Sequence, residues 1–92
     1  MFEVTVGGKK YYIEKSHRKN KKYDVYNKEG HDLYITSFGD KRYQQYFDKL
    51  GLYSDLNHND EKRRYDYLKR SKGIGNYNNP NSANFWSRNI LW

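Results

Sequence analysis

Basic side chains interleaved with tyrosines are the groups of this sequence best suited to chemistry with a partner. Cationic side chains contact phosphates and aromatic rings stack on bases, so the pattern is typical of nucleic-acid binding that ignores base sequence and weakens with salt. Two alternatives stay open at this point, a solubilising surface and pairing with acidic patches of another protein. The residues predicted to contact nucleic acid are Lys41, Arg42, Arg63, Arg64, Lys69 and Arg70.

Other residue patterns do not predict an enzyme, so no catalytic residue, metal, cofactor or small-molecule substrate is expected. The three histidines share no spacing typical of metal ligands. Asp55, Glu61 and Lys62 lack the arrangement of a nuclease carboxylate–lysine set. Gly73-Ile-Gly75 has no strand before it and no Lys-Ser or Lys-Thr after it, so it does not predict a phosphate loop.

Composition limits the fold that must position these groups. The chain has 92 residues, with 18 Lys and Arg against 11 Asp and Glu, for a net charge of +7. Its 11 Tyr and 2 Trp must supply much of the core. The absence of Cys excludes disulfides and thiol chemistry. We expect a soluble protein, because no signal peptide and no membrane span are evident.

Alternation of apolar and polar residues predicts two β-hairpins before residue 40. Between the hairpins, the basic stretch His17–Lys22 is read either as a solvated turn or as a phosphate-contacting loop. The predicted strands are Phe2–Val6, Lys10–Glu14, Tyr23–Asn27 and Asp32–Phe38, with turns at Gly7-Gly8 and Glu29-Gly30.

The spacing of apolar residues then changes to the helical period, which predicts a helix over residues 40–50 that packs on the sheet. Gly39 ends the strand after Phe38, Asp40 is the expected N-cap, and Gly51 follows the last turn. The predicted apolar stripe consists of Tyr43, Tyr46, Phe47 and Leu50.

A second helix is predicted over Glu61–Lys72, with Gly73 as its stop. Residues 74–84 are rich in Asn and Gly. Ser82 or Asn81 is suited to cap a short terminal helix. The large apolar residues that follow either fold back over the sheet or insert into another protein, and the sequence leaves both open.

These elements predict one α+β domain spanning residues 1–92: a small antiparallel sheet of about four strands, then two helices and an aromatic C-terminal segment. Residues 1–39 are expected to be β-rich, 40–73 helical, and 74–92 an Asn-rich aromatic tail.

An ordered series of short motifs over residues 22–92 resembles a family of small basic proteins of unknown function encoded by nucleocytoplasmic large DNA viruses. Phage-encoded segments with a similar Ser-Phe-Gly-Asp, basic and Trp arrangement look like distant relatives. The motifs are Ile35–Asp40, Arg42–Tyr46, His58–Asp60, Arg63-Arg64, Asn79–Ser87 and Leu91-Trp92.

The resemblance implies a virion location, with the cytoplasm of the infected cell as the place of assembly. We therefore expect a minor capsid component that binds other capsid or inner-shell proteins. Its predicted anchors are Phe85, Trp86, Leu91 and Trp92, because buried aromatic side chains dominate interface energies. The alternative is a DNA-binding packaging or nucleoid protein that uses the basic clusters.

Overall fold

The alternating segments form the sheet that the sequence predicts. A computed structural model describes residues 1–28 and 33–92 of the chain. The confirmed α+β class is a four-stranded antiparallel sheet followed by two helices. In sheet order the strands are β1 (Phe2–Val6), β2 (Lys9–Lys15), β3 (Lys21–Tyr26) and β4 (Tyr34–Asp40). A 3₁₀ turn (Ser54–Leu56), helix α1 (Glu61–Ile74), helix α2 (Ala83–Trp86) and a π-helical turn (Ser87–Leu91) follow.

Both predicted hairpins are present. The first turns at Gly7 and Gly8, whose φ angles of 57° and 78° lie in the left-handed region that glycine adopts without steric cost. In the second hairpin β3 pairs with β4, with Val25 opposite Thr36. Its predicted turn at Glu29-Gly30 lies outside the described residues, as does Asp32.

An aromatic core lies on one face of the sheet. Trp86 is fully buried at its centre and stacks edge-on against Tyr11, with ring centroids 5.1 Å apart. Its indole Nε1 donates a hydrogen bond to the carbonyl of Pro80 at 2.7 Å, which satisfies the one polar atom of the ring. The buried core residues are Tyr11, Ile13, Tyr23, Val25, Phe38, Tyr53, Phe85, Trp86, Ile90 and Leu91.

The prediction of a helix over residues 40–50 is wrong. Residues 41–50 run as an irregular segment after β4, and of the predicted stripe only Leu50 packs against the core cluster. Tyr43 is 65% exposed and Phe47 48% exposed, whereas Gln45 and Asp48 are buried. Tyr46 and Leu50 are half-buried. Asp40 ends β4 and accepts from the backbone N–H of Arg42 at 2.9 Å, but no helix follows it.

A buried lysine explains the irregular course. Lys22 of β3 donates from Nζ to the carbonyl of Tyr43 at 3.0 Å and to Oε1 of Gln45 at 2.5 Å. In a helix the Tyr43 carbonyl would accept from Phe47 N–H. That N–H instead donates to the carbonyl of Leu91 at 3.0 Å. Because a buried ammonium needs acceptors, Lys22 draws this segment out of the helical conformation.

Helix α1 forms where predicted and begins at the expected kind of cap. Asp60 accepts hydrogen bonds from the backbone N–H groups of Lys62 and Arg63. The helix continues through Gly73, the predicted stop, and ends at Ile74. Within α1, all of whose residues are described, Ser71 is the only buried one. The helix is therefore attached to the domain by polar contacts and by the stacking of Tyr67 on Trp92, and not by a continuous apolar stripe.

The aromatic tail folds back over the sheet, which settles the choice that the sequence left open. The side chain of Ser82 accepts from Phe85 N–H and caps α2, as predicted. Phe85, Trp86 and Leu91 are buried in the chain's own core, and Trp92 is half-buried. In this conformation the first three offer little surface to the protein partner that the sequence predicted for them.

Gly39 provides the first test of this packing. Its φ is +75°, and a Cβ atom there would lie 2.9 Å from Cδ1 of Leu91 and 2.9 Å from Cδ of Lys22. We expect Gly39→Ala to lower the free energy of unfolding by about 1–3 kcal/mol, measured by urea denaturation, because it combines backbone strain with a clash.

Gly73→Ala is the matched control, because Gly73 lies inside α1 with no atom near the added methyl group. This substitution is expected to stabilise the protein by about 0.5–1 kcal/mol. Equal effects of the two substitutions would contradict the close packing at Gly39.

Candidate nucleic-acid interface

A cleft of about 580 Å³ separates the end of β4 from helix α1. We call it the arginine cleft, because Arg42 stands on the first wall and Arg63 and Arg70 on the second. Its lining residues are Lys22, Gly39, Asp40, Arg42, Tyr43, Gln44, Arg63, Tyr67, Arg70, Ser87, Leu91 and Trp92.

Helical geometry assembles the second wall. Arg63, Tyr67 and Arg70 are spaced at i, i+4 and i+7 on α1, so they share one face of the helix. Arg63 Nη1 donates to Oε1 of Gln44 at 3.0 Å and so joins the two walls of the cleft. The guanidinium of Arg70 lies 6.0 Å from the centroid of the Tyr67 ring.

The first wall contains the one acid among the described lining residues. Asp40 accepts two hydrogen bonds from the Arg42 guanidinium, at 3.0 Å from Nε and 2.7 Å from Nη2. Hydrogen bonds from Arg42 lower the pKa of Asp40 to about 2, so its carboxylate is charged at every physiological pH. The carboxylate engages Nε and Nη2 of Arg42 and so competes with a phosphate for this guanidinium, although the Arg42 side chain stays 60% exposed.

A buried polar network holds the segment that carries the first wall. Gln45 Nε2 donates to the carbonyl of Tyr53 at 2.8 Å and to Oδ1 of Asn57 at 2.6 Å. Asp48 accepts from the Tyr23 hydroxyl at 2.6 Å and from Tyr53 N–H at 2.9 Å. The irregular segment is thereby fixed to the sheet and to residues 53–57 without regular secondary structure.

Burial shifts the pKa values of Lys22 and Tyr23 in this network toward their neutral forms. Desolvation lowers the pKa of Lys22, and the nearby Asp48 carboxylate opposes that shift. The pKa of Tyr23 is raised well above its usual range, first by burial and then by its hydrogen bond to Asp48.

The structure separates the six basic residues that the sequence grouped together. Arg42, Arg63 and Arg70 line the arginine cleft. Arg64 and Lys69 line a hollow of about 490 Å³ on a different face of α1. Arg64 Nε also donates to the carbonyl of Trp92 at 2.8 Å, so part of its guanidinium is used within the fold. Lys41 is exposed and lines neither site.

Three residues of the site were missed by the sequence reasoning. Lys22 and Gln45 look like ordinary surface residues in the sequence, and only their long-range contact reveals their burial. Tyr67 received no role from the sequence, although the i, i+4, i+7 spacing of Arg63, Tyr67 and Arg70 is visible there.

The described residues contain neither a cluster of metal ligands nor a helix that could cross a membrane. Nowhere in residues 1–28 and 33–92 do three His, Cys, Asp or Glu side chains come together as metal ligands would. In the same ranges neither helix has the length and apolar character needed to cross a bilayer.

Comparison of the chain with protein-family models, with curated proteins and with solved structures finds no significant match. The viral resemblance therefore stays a prediction, and the geometry of the arginine cleft carries the functional argument.

Because of buried Tyr23, we expect the free energy of unfolding of the protein to fall at alkaline pH. An unfolded tyrosine ionises near pH 10, whereas folded Tyr23 keeps its proton to higher pH. The stabilisation linked to Tyr23 is thus complete below about pH 10 and is lost as pH rises further. In Tyr23→Phe the free energy of unfolding should fall less steeply with pH between about pH 9 and 11 than in wild type. The free energy is measured by urea denaturation at each pH.

The same variant should be less stable at neutral pH by about 1–3 kcal/mol, because buried Asp48 loses a donor. Lys22 acts in the opposite direction, since a lowered pKa makes stability rise with pH below 10.5. Comparing variant with wild type at each pH cancels that contribution. Parallel pH profiles for the two proteins would show that Tyr23 titrates alike in the folded and unfolded states.

Proposed function

We propose that this protein binds the sugar–phosphate backbone of nucleic acid through the arginine cleft, without reading base sequence. One observation carries the proposal: three guanidinium groups from two separate segments line a single cleft. Guanidinium groups match the geometry of phosphate oxygens and stay charged at all physiological pH values.

The size and charge of the site support this choice of ligand. A cleft of about 580 Å³ lies within the range of roughly 300–1,000 Å³ that ligand sites occupy. The net charge of +7 attracts polyanions over the whole molecule. Contacts from arginines to phosphates fix position and affinity but carry no sequence information, which supports sequence-indifferent binding.

The test compares two variants that lose the same charge. Arg42→Gln, Arg63→Gln and Arg70→Gln together empty the cleft of guanidinium groups. We expect this variant to bind labelled duplex or single-stranded DNA more weakly at low salt, measured by fluorescence anisotropy at several salt concentrations. The slope of log affinity against log salt should become shallower by about 0.9 per lost duplex contact, or about 0.7 for a single strand.

The control triple variant is Lys9→Gln, Lys10→Gln and Lys28→Gln, which removes three exposed cations that do not line the cleft. It should bind nearly as tightly as wild type. Equal losses in the two triple variants would show that net charge, and not the cleft, determines binding.

Removing a negative charge from the cleft tests the same site, with the opposite expected effect on DNA affinity. Asp40→Asn keeps an oxygen that can accept from Arg42 N–H but removes the carboxylate that engages the guanidinium. Affinity for DNA should rise in the same titration. Asp66→Asn is its control, since it removes an equal charge from the exposed pair with Lys62, outside the cleft. An equal rise in both variants would contradict a specific role for Asp40.

A protein-binding role in a virion is the second candidate, because residues 47–52 present apolar surface. Phe47 and Leu52 are each 48% exposed, although both are large apolar side chains. With the predicted tail anchors Phe85, Trp86 and Leu91 buried, these two residues are better placed to contact another capsid or inner-shell protein. The viral resemblance supplies the partner class in this proposal.

Incorporation into particles tests this candidate. The candidate predicts that, in cells infected with a large DNA virus and expressing the tagged chain, Phe47→Ser with Leu52→Ser lowers the amount of tagged protein in purified particles. Ile74→Ser serves as the control, because Ile74 is 75% exposed at the end of α1. Wild-type amounts of the double variant in particles would count against the candidate.

A further inference from the structure

The arginine cleft also contains an aromatic side chain that the fold does not use. Tyr43 lines the cleft and is 65% exposed. In residues 1–28 and 33–92 no other ring stacks on it, and its one cation–π neighbour is the Arg42 guanidinium, 5.6 Å from the ring centroid. A large aromatic ring left in solvent beside three arginines has a flat face available to a ligand.

The backbone beneath this ring is held at both ends. Tyr43 N–H donates to the carbonyl of Asp40 at 3.1 Å. The Tyr43 carbonyl accepts from Nζ of Lys22 at 3.0 Å, and Lys22 is only 1% exposed. Lys22 is fixed in turn by its hydrogen bond to Gln45. The exposed ring therefore stands on a preorganised part of the chain, which lowers the entropy lost when a ligand binds it.

The other two rings of the cleft are already engaged. Tyr67 and Trp92 stack on each other with centroids 4.1 Å apart and planes inclined by 11°. His58 lies against Trp92, with ring centroids 5.1 Å apart. Of the three rings that line the cleft, Tyr43 is thus the one positioned to accept a new stacking partner.

From these observations, and resting on the proposed function, we infer that the ligand of the arginine cleft is single-stranded nucleic acid. One base of the strand stacks on Tyr43, and the adjoining phosphates contact Arg42, Arg63 and Arg70. A base in a single strand is free to stack on a protein ring. A base in a duplex must first leave its pair and its neighbours in the stack. Alternating cations and aromatic rings are the usual means by which proteins hold single strands without regard to sequence.

The experiment uses the full chain and two labelled probes of equal length. One is an oligothymidylate of about 12 nucleotides, within the roughly 4–16 that small single-strand-binding modules cover. The other is a mixed-sequence duplex. In fluorescence anisotropy at matched salt we expect tighter binding of the single strand. Tyr43→Leu should weaken single-strand binding by about 5- to 100-fold, because it removes the ring and keeps an apolar side chain.

Two further variants separate stacking from other effects. Tyr43→Trp keeps an aromatic face and should bind the single strand at least as tightly as wild type. Tyr65→Leu removes a ring of matching exposure, 66%, that does not line the cleft, and should leave affinity unchanged. A single strand carrying a photoreactive 5-iodouracil should also crosslink to Tyr43, identified by peptide mass spectrometry.

The outcomes distinguish this inference from the proposed function. Equal affinity for both probes, with no effect of Tyr43→Leu, would overturn the inference. The proposed function would survive that result if the triple arginine variant still weakened binding. Equal losses for Tyr43→Leu and Tyr65→Leu would also overturn it, since the cleft would then not be the stacking site. Failure of both probes to bind at low salt would overturn both proposals.

Discussion

The burial of one ammonium group determines the course of the chain around the arginine cleft. Lys22 lies on the central strand β3 with almost no exposure, and its charge must be met by acceptors inside the protein. The Tyr43 carbonyl and the Gln45 side chain supply them. Residues 41–49 therefore run across the domain as an irregular segment, and Arg42 and Tyr43 are brought to the mouth of the cleft.

Aromatic rings supply most of the core because the chain has few aliphatic residues. Tyr23 packs against Phe38 and Tyr53, and its hydroxyl reaches Asp48 in the polar network. The apolar and polar parts of the interior are thus joined through single side chains. A residue of this kind stabilises the core and positions the functional segment at once, because its ring is apolar and its hydroxyl is a donor.

Local signals in the sequence were sufficient for some elements and not for others. Alternation predicted the four strands, and Ser82 was one of the two cap candidates for the terminal helix because capping depends on the residues that follow directly. The helix over residues 40–50 failed because the Tyr43 carbonyl is taken by Lys22, which lies 21 positions earlier. No window of neighbouring residues contains that competition.

The candidate site also has features that the sequence predicted and features that it did not. The basic clusters were visible, but the sequence could not show that the face of α1 with Arg63 and Arg70 lines the cleft while Arg64 contacts Trp92. That separation follows from which face of α1 meets the irregular segment. The cleft itself arises only when β4 and α1 are placed side by side, so no local pattern predicts it.

Helix α1 carries two of the three arginines, yet Ser71 is its only buried residue. Hydrogen bonds between Ser71 and Asn84, and between Asn84 and the carbonyl of Gly75, fasten its C-terminal half. Because so little of this helix is buried, we expect it to open at a lower free energy than the sheet in amide hydrogen exchange. A polyanion that spans both walls of the cleft would tie this helix to the sheet, so binding and local ordering of α1 become thermodynamically linked.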